Sequence, residues 1–126
     1  MNPAIAIDLR IPAMSRPLQL YVHGEQDRFL SQRLREDGIW EPYETSLVLT
    51  LLRPGDVFID VGANVGYFSI VAASVVGTQG AVFAFEPDPE NCRLLRANAE
   101  LNGLDDRITV VEAALSNTAG PGELFL

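Results

Sequence analysis

One short segment, Asp60-Val61-Gly62-Ala63-Asn64-Val65-Gly66, has the residue types and spacing that suit ligand chemistry. Gly62 and Gly66 permit a tight turn whose backbone comes close to a ligand, because glycine has no Cβ and tolerates positive φ. Asn64 tolerates the left-handed region better than most residues. A dinucleotide-binding turn would read G-x-G-x-x-G. Here the middle position is Asn and the last glycine comes one position early, so no pyrophosphate cradle is predicted. Such a turn suits a ligand that is neutral or cationic near the loop, with Asp60 facing its amino-acid part. A second carboxylate, Glu86, ends the next apolar run, where it can accept two hydrogen bonds from ribose hydroxyls and repel a 2′-phosphate. Pro87 fixes the exit of the chain after it, and Ala63 lies inside the turn. Further on, Glu112-Ala113-Ala114 offers small residues against which an adenine ring can lie. Each feature has a plainer reading alone: the turn joins a strand to a helix, Asp60 bonds loop amides, Glu86 caps a helix. Their order and spacing favour a ligand.

These residues need a strand-helix-strand frame, and the sequence supplies one. Val57–Val61, Ala81–Phe85 and Ile108–Val111 are apolar runs, the first two read as strands covered on both faces. Tyr67–Val76 reads as the helix between the first pair. Asp88-Pro89-Glu90 starts the helix between the second pair, with Asp88 as its cap and Pro89 in its first turn. Leu94, Leu95, Ala97, Leu101 and Leu104 are its expected buried stripe, and Asn102-Gly103 its end. Alternation of this kind predicts parallel strands with right-handed helical crossovers and a ligand site beyond the carboxyl ends of the strands. Upstream, Ala4–Leu9 and Leu18–Val22 read as short strands, and Asp27 as the cap of a helix to about Glu36 with Phe29, Leu30 and Leu34 inward. A further helix begins at Glu41-Pro42, with Leu47, Val48, Leu51 and Leu52 as its apolar stripe, and Pro54-Gly55 ends it.

The run from Arg53 through Asp60-Val61-Gly62-Ala63-Asn64-Val65-Gly66 to Phe68 resembles motif I of the FkbM family of S-adenosylmethionine-dependent methyltransferases. Phe83-Ala84-Phe85-Glu86-Pro87-Asp88-Pro89 resembles that family's second motif. Asn98, Leu101-Asn102-Gly103-Leu104 and Val111-Glu112-Ala113-Ala114-Leu115-Ser116 are similar to the stretches that follow, and Trp40, Glu41 and Glu44 to the helix that precedes. The resemblance covers roughly residues 40–126. It implies an α/β fold, the Rossmann-like class I methyltransferase fold, here truncated after about three parallel strands and preceded by short N-terminal strands and helices. It implies S-adenosyl-L-methionine as cofactor and methyl transfer to a hydroxyl of a sugar or small molecule. Asp60, Gly62, Asn64 and Gly66 would then surround the methionine part, Glu86 would hold the ribose, and Glu112 with Ala113 would border the adenine. Glu44 is a weaker candidate for a contact near the cofactor.

Residues 1–39 are read as an N-terminal strand and helix extension, and 40–126 as the cofactor-binding part of a C-terminally incomplete domain. The chain has 126 residues, enough to bury roughly two-thirds of its unfolded surface. Its net charge of −8 argues against a phosphate-backbone footprint, so no nucleic-acid partner is expected. Arg28, Arg33 and Arg35 read as a solvated helix face. Cys92 is the single cysteine, which excludes an internal disulfide and a cysteine-built zinc site. No leader or membrane-length apolar run is seen, and the cytoplasm is the default expectation. A strand edge beside Val57–Val61 without a neighbour would invite self-association into a homo-oligomer, or coverage by the N-terminal segment. No catalytic base is found, since His23 is the single histidine and nothing places it near the turn. Three readings stand: a methyltransferase, a non-catalytic cofactor-binding fragment, and a nicotinamide-dependent oxidoreductase disfavoured by the glycine spacing.

Overall fold

The computed structural model describes residues 3–24 and 29–124. Two strands, β1 (Ala4–Asp8) and β2 (Gln19–His23), pair antiparallel, with Ile5 opposite Val22 and Ile7 opposite Leu20. Helices α1 (Phe29–Asp37) and α2 (Pro42–Leu51) follow. Then come β3 (Val57–Val61), α3 (Tyr67–Val76), β4 (Ala81–Phe85), α4 (Pro89–Leu101) and β5 (Ile108–Val111). The last three strands form a parallel sheet in the order β3-β4-β5, with Asp60 opposite Ala84 and Phe85 opposite Val111. This is the strand-helix-strand alternation that the sequence predicts. The expected cap Asp27 and its neighbour Arg28 lie outside the described residues.

One sheet face is closed. Val82 and Ala84 are fully buried beneath α3 and α4, with Ile70, Val71, Leu94, Leu95 and Leu104 packed in the same interior. The opposite face is open, which corrects the expectation of a strand covered on both sides. Val57, Ile59 and Val61 are each about 60% exposed, and Phe83 beside them is 37% exposed. Alternate residues of a strand point to opposite faces, so these belong to one apolar surface. At β3 that surface reaches an edge with no neighbour among the described residues.

The N-terminal hairpin packs against α4, not against the β3 edge. Leu18, Leu20 and Val22 enter the main core, as their spacing predicts. Polar side chains fix the register. Asn98 Oδ1 accepts from Tyr21 N at 2.6 Å, and its Nδ2 donates to Tyr21 O and to Val65 O. One turn later Asn102 Oδ1 accepts from Gln19 N and its Nδ2 donates to Gln19 O. The two amides thus pair with alternate residues of β2 as a neighbouring strand would. Helical spacing of four sets them side by side, which is why Asn98 and Asn102 are buried where Leu101, at 36% exposure, is not.

The apolar stripe expected on α2 holds in part: Val48 and Leu52 pack against the core, together with Leu49. Leu47 and Leu51 are exposed, and the buried residue is Thr45. Its Oγ1 donates to Trp40 O at 2.7 Å and lies 3.0 Å from the Tyr67 hydroxyl. A hydroxyl pair therefore holds α2 to α3. On α1 Leu34 is buried but Phe29 is exposed, its ring lying edge-on to Trp40. Arg10 donates to the carbonyls of Glu36 and Asp37 and so satisfies the end of α1.

Candidate functional site

β3 ends at Val61, and the chain turns at once. Gly62 has φ 73°, Asn64 φ 56° and Gly66 φ 100°. The three positions singled out for conformational freedom are therefore the ones that use it. A Cβ on Gly66 would collide with the Leu95 side chain on α4, whereas open space faces Gly62. Gly66 is thus required by packing, and Gly62 by the turn and by access. The amides of Gly62 and Ala63 both donate to Phe85 O, at 2.9 and 3.0 Å, which ties the turn to the end of β4.

Glu86 sits where β4 ends and is 6% exposed. Its Oε1 accepts from Asn64 N at 2.7 Å. Its Oε2 accepts from Asp88 N at 2.9 Å. Glu86 N itself donates to Val111 O, which links the end of β5 to the same point. Asp88 caps α4 through Glu90 N, as its position before Pro89 predicts. Asp60 lies just below, 9% exposed, and accepts from Ser69 Oγ at 2.7 Å. Burial pushes its carboxyl above the ordinary aspartate range, and the negative charge of Glu86 adds to that, against the opposing bond from Ser69. Two buried acids beside an open turn favour a cationic group and disfavour a phosphate.

One hollow reaches the turn that bonds Glu86, and another reaches Pro87 beside it. The first, of about 270 Å³, is lined by Asp60, Val61, Gly62, Ala63, Asn64, Tyr67, Phe68, Leu30, Trp40 and Glu41. The other, of about 480 Å³, is lined by Pro87, Glu112, Ala113 and Ala114 and closed by the 116–124 segment. The nine candidate residues are thus gathered along one end of the sheet, although Glu86, bonded to the turn, and Gly66, behind it, line neither hollow. Glu44 is exposed and lines neither hollow; Glu41 takes that place, in a left-handed conformation with φ 44°. Trp40 lines the first hollow as well. Tyr67 is 2% exposed and its hydroxyl is engaged with Thr45, while Phe68 is partly buried against the same core. His23 also departs from expectation, since its ring reaches Asn91, itself beside Glu86. Cys92 is a core thiol. Its Sγ donates to Glu86 O, and burial, with the charge of Glu112, pushes it up to about 11, so it is no nucleophile.

The family model described as the TRM5/TYW2 methyltransferase domain matches residues 41–121. The chain belongs to that family. It therefore carries an S-adenosylmethionine-dependent methyltransferase domain, with the class I α/β fold and the cofactor that the sequence implied. Among curated relatives, the zebrafish (Danio rerio) tRNA (guanine(37)-N(1))-methyltransferase is 37% identical over 113 residues, 79% of this chain and 22% of that protein. The Streptomyces tacrolimicus 31-O-demethyl-FK506 methyltransferase FkbM is 44% identical over 69 residues, but these span 55% of this chain and 25% of that protein. Among solved structures, Pyrococcus horikoshii TYW2 in complex with MeSAdo superposes with a TM-score of 0.60 at 19% identity, over 85% of this chain and 37% of that one. The chain spans 22% to 37% of the length of these relatives.

These matches correct two expectations. The FkbM resemblance is real but partial, spanning 55% of this chain against 79% for the zebrafish relative. The expected sugar or small-molecule acceptor, with no nucleic-acid partner, is overturned by a longer match to a protein named for tRNA. The physical reason for the error is one of scope. A net charge of −8 describes 126 residues, about a fifth of the zebrafish relative, and says nothing of the surface that the rest of such a protein presents. Among the described residues no helix is long and apolar enough to cross a membrane, and no cluster of His, Cys, Asp and Glu suits a metal ion.

Proposed function

We propose that this TRM5/TYW2 domain binds S-adenosylmethionine along the carboxyl ends of β3, β4 and β5 and serves methylation of a tRNA guanosine at N1 of position 37. The observation that carries the acceptor is the zebrafish relative, whose identity extends over 79% of this chain. The cofactor part rests on geometry. Asp60 and the Gly62–Gly66 turn take the amino-acid end, Asp60 and Glu86 supplying negative charge near the cationic groups. Glu86 accepts from the ribose hydroxyls, and Pro87, Glu112 and Ala113 border the adenine in the larger hollow.

The cofactor brings the reactive methyl group and its leaving group, so the protein's task is orientation. The residues of this chain fit that task. Gly62 keeps the first hollow free of side-chain atoms at the turn. Glu86 is already ordered by Asn64 and Asp88. The buried carboxylates leave a favourable place for positive charge, which attracts a cation more strongly at low dielectric than in water.

Methyl transfer from labelled S-adenosylmethionine to tRNA transcripts carrying G or A at position 37 tests the acceptor. Nuclease digestion and mass spectrometry should find N1-methylguanosine in the G37 transcript alone. Label in a hydroxyl acceptor, with none in tRNA, would overturn the acceptor and leave the cofactor site standing.

A further inference from the structure

Beside Glu86 lies a run of hydrogen bonds that none of the sequence motifs includes. His23, the last residue of β2, places Nε2 2.7 Å from Asn91 Oδ1. Asn91, in the first turns of α4 and 6% exposed, places Nδ2 3.4 Å from Glu86 Oε2. The direction of this run is fixed by chemistry. A carboxylate only accepts, so the amide must turn its NH2 toward Glu86 and its carbonyl toward His23. The imidazole must then donate from Nε2, which both the Nε2–H tautomer and the imidazolium can do. His23 is itself anchored: its N donates to Ser31 Oγ at 3.0 Å and its carbonyl accepts from the Arg35 guanidinium. Glu86 is therefore gripped by donors from the turn after β3, from the start of α4 and, through Asn91, from the N-terminal hairpin.

We infer that Asn91, held by His23, is a positioning residue that sets Glu86 for the cofactor's ribose, so that the N-terminal hairpin contributes to cofactor affinity without touching the cofactor. The inference rests on the reading of Glu86 as the ribose acceptor. A glutamate side chain has rotamer freedom that binding must remove, and ordering it beforehand lowers the cost of binding. The bond from Asn91 is long. It matters through orientation more than through its own strength.

Calorimetric titration of the full chain with S-adenosylhomocysteine tests this. Asn91→Asp keeps the shape and the acceptor for His23 but sets a carboxylate against Glu86. It should weaken binding about tenfold, the size expected when a bond to a charged group is lost. In a Glu86→Gln background the same change should cost less than about twofold, because sites that act through one another are not additive. His23→Ala should give a smaller loss, and His23→Gln, which restores an N–H donor, should recover it. Melting temperatures read alongside separate misfolding from misplacement; if Asn91→Asp unfolds the chain, the two His23 variants decide the matter. Wild-type affinity in Asn91→Asp, with Glu86→Gln weakened, would overturn the relay and leave the cofactor site intact. An equal loss in both backgrounds would also overturn it. No binding by the wild-type chain, or no effect of Glu86→Gln, would overturn both.

Discussion

Asp60 carries a cost in the ligand-free chain. Its carboxyl is buried and pushed above the ordinary aspartate range. A raised acid favours the neutral form, so the stability it contributes is complete below the unfolded value of about 3.8 and is lost as pH rises through the folded one. At neutral pH the ligand-free chain bears that loss. Asp60→Asn should therefore raise the melting temperature at pH 7, with the gain vanishing toward pH 3. The same substitution should weaken S-adenosylmethionine about tenfold, as a charged partner is removed. A scan of melting temperature and affinity against pH checks both. Gly66→Ala should do harm of another kind. Its φ of 100° and the clash with Leu95 should together cost about 2–4 kcal/mol in denaturant unfolding. At Cys92 the expectation is inertness: a buried thiol near 11 should resist disulfide reagents at pH 8 until denaturant is added.

At the scale of elements, β3, α3, β4, α4 and β5 were legible because their signals are local. Alternating apolar runs, Pro54-Gly55 before β3 and Asp88-Pro89 before α4 mark boundaries that the structure keeps. The turn residues were legible for the same reason, since Gly62, Asn64 and Gly66 announce the backbone shape they adopt. What the sequence hid were contacts between distant segments. Asn91 and Asn98 on α4 and Asn102 at its C-cap lie at helical spacing on one face, and polar residues recurring on an otherwise buried face signal a polar partner. The partner, β2, lies more than 60 positions away, so pattern alone could not name it, and His23 stayed apart from Glu86. The stripe assigned to α2 was half right, since Val48 and Leu52 meet the core while Leu47 and Leu51 do not, and the Thr45 hydroxyl bonds that help seat the helix leave no apolar signal. If the amides on α4 hold the hairpin, Asn98→Ala should strand Tyr21 N and Val65 O and cost about 2–4 kcal/mol. Hydrogen exchange should then show β2 opening well before β4.

The whole molecule is a half-dressed sheet: helices and a hairpin on one side, and an apolar surface of Val57, Ile59, Val61 and Phe83 on the other. All nine residues named for the cofactor lie at or behind the carboxyl end of that sheet, which is where an open α/β sheet takes its ligand. Its acceptor could not be read from them, because groups that hold a cofactor serve many acceptors alike. The central claim is that these three strand ends bind a methionine-derived nucleoside. Calorimetric titration of the chain with S-adenosylhomocysteine and, separately, NAD tests it most directly. One-to-one binding of S-adenosylhomocysteine, lost in Glu86→Ala, with no heat from NAD, is the predicted result. Binding of NAD without S-adenosylhomocysteine would contradict it.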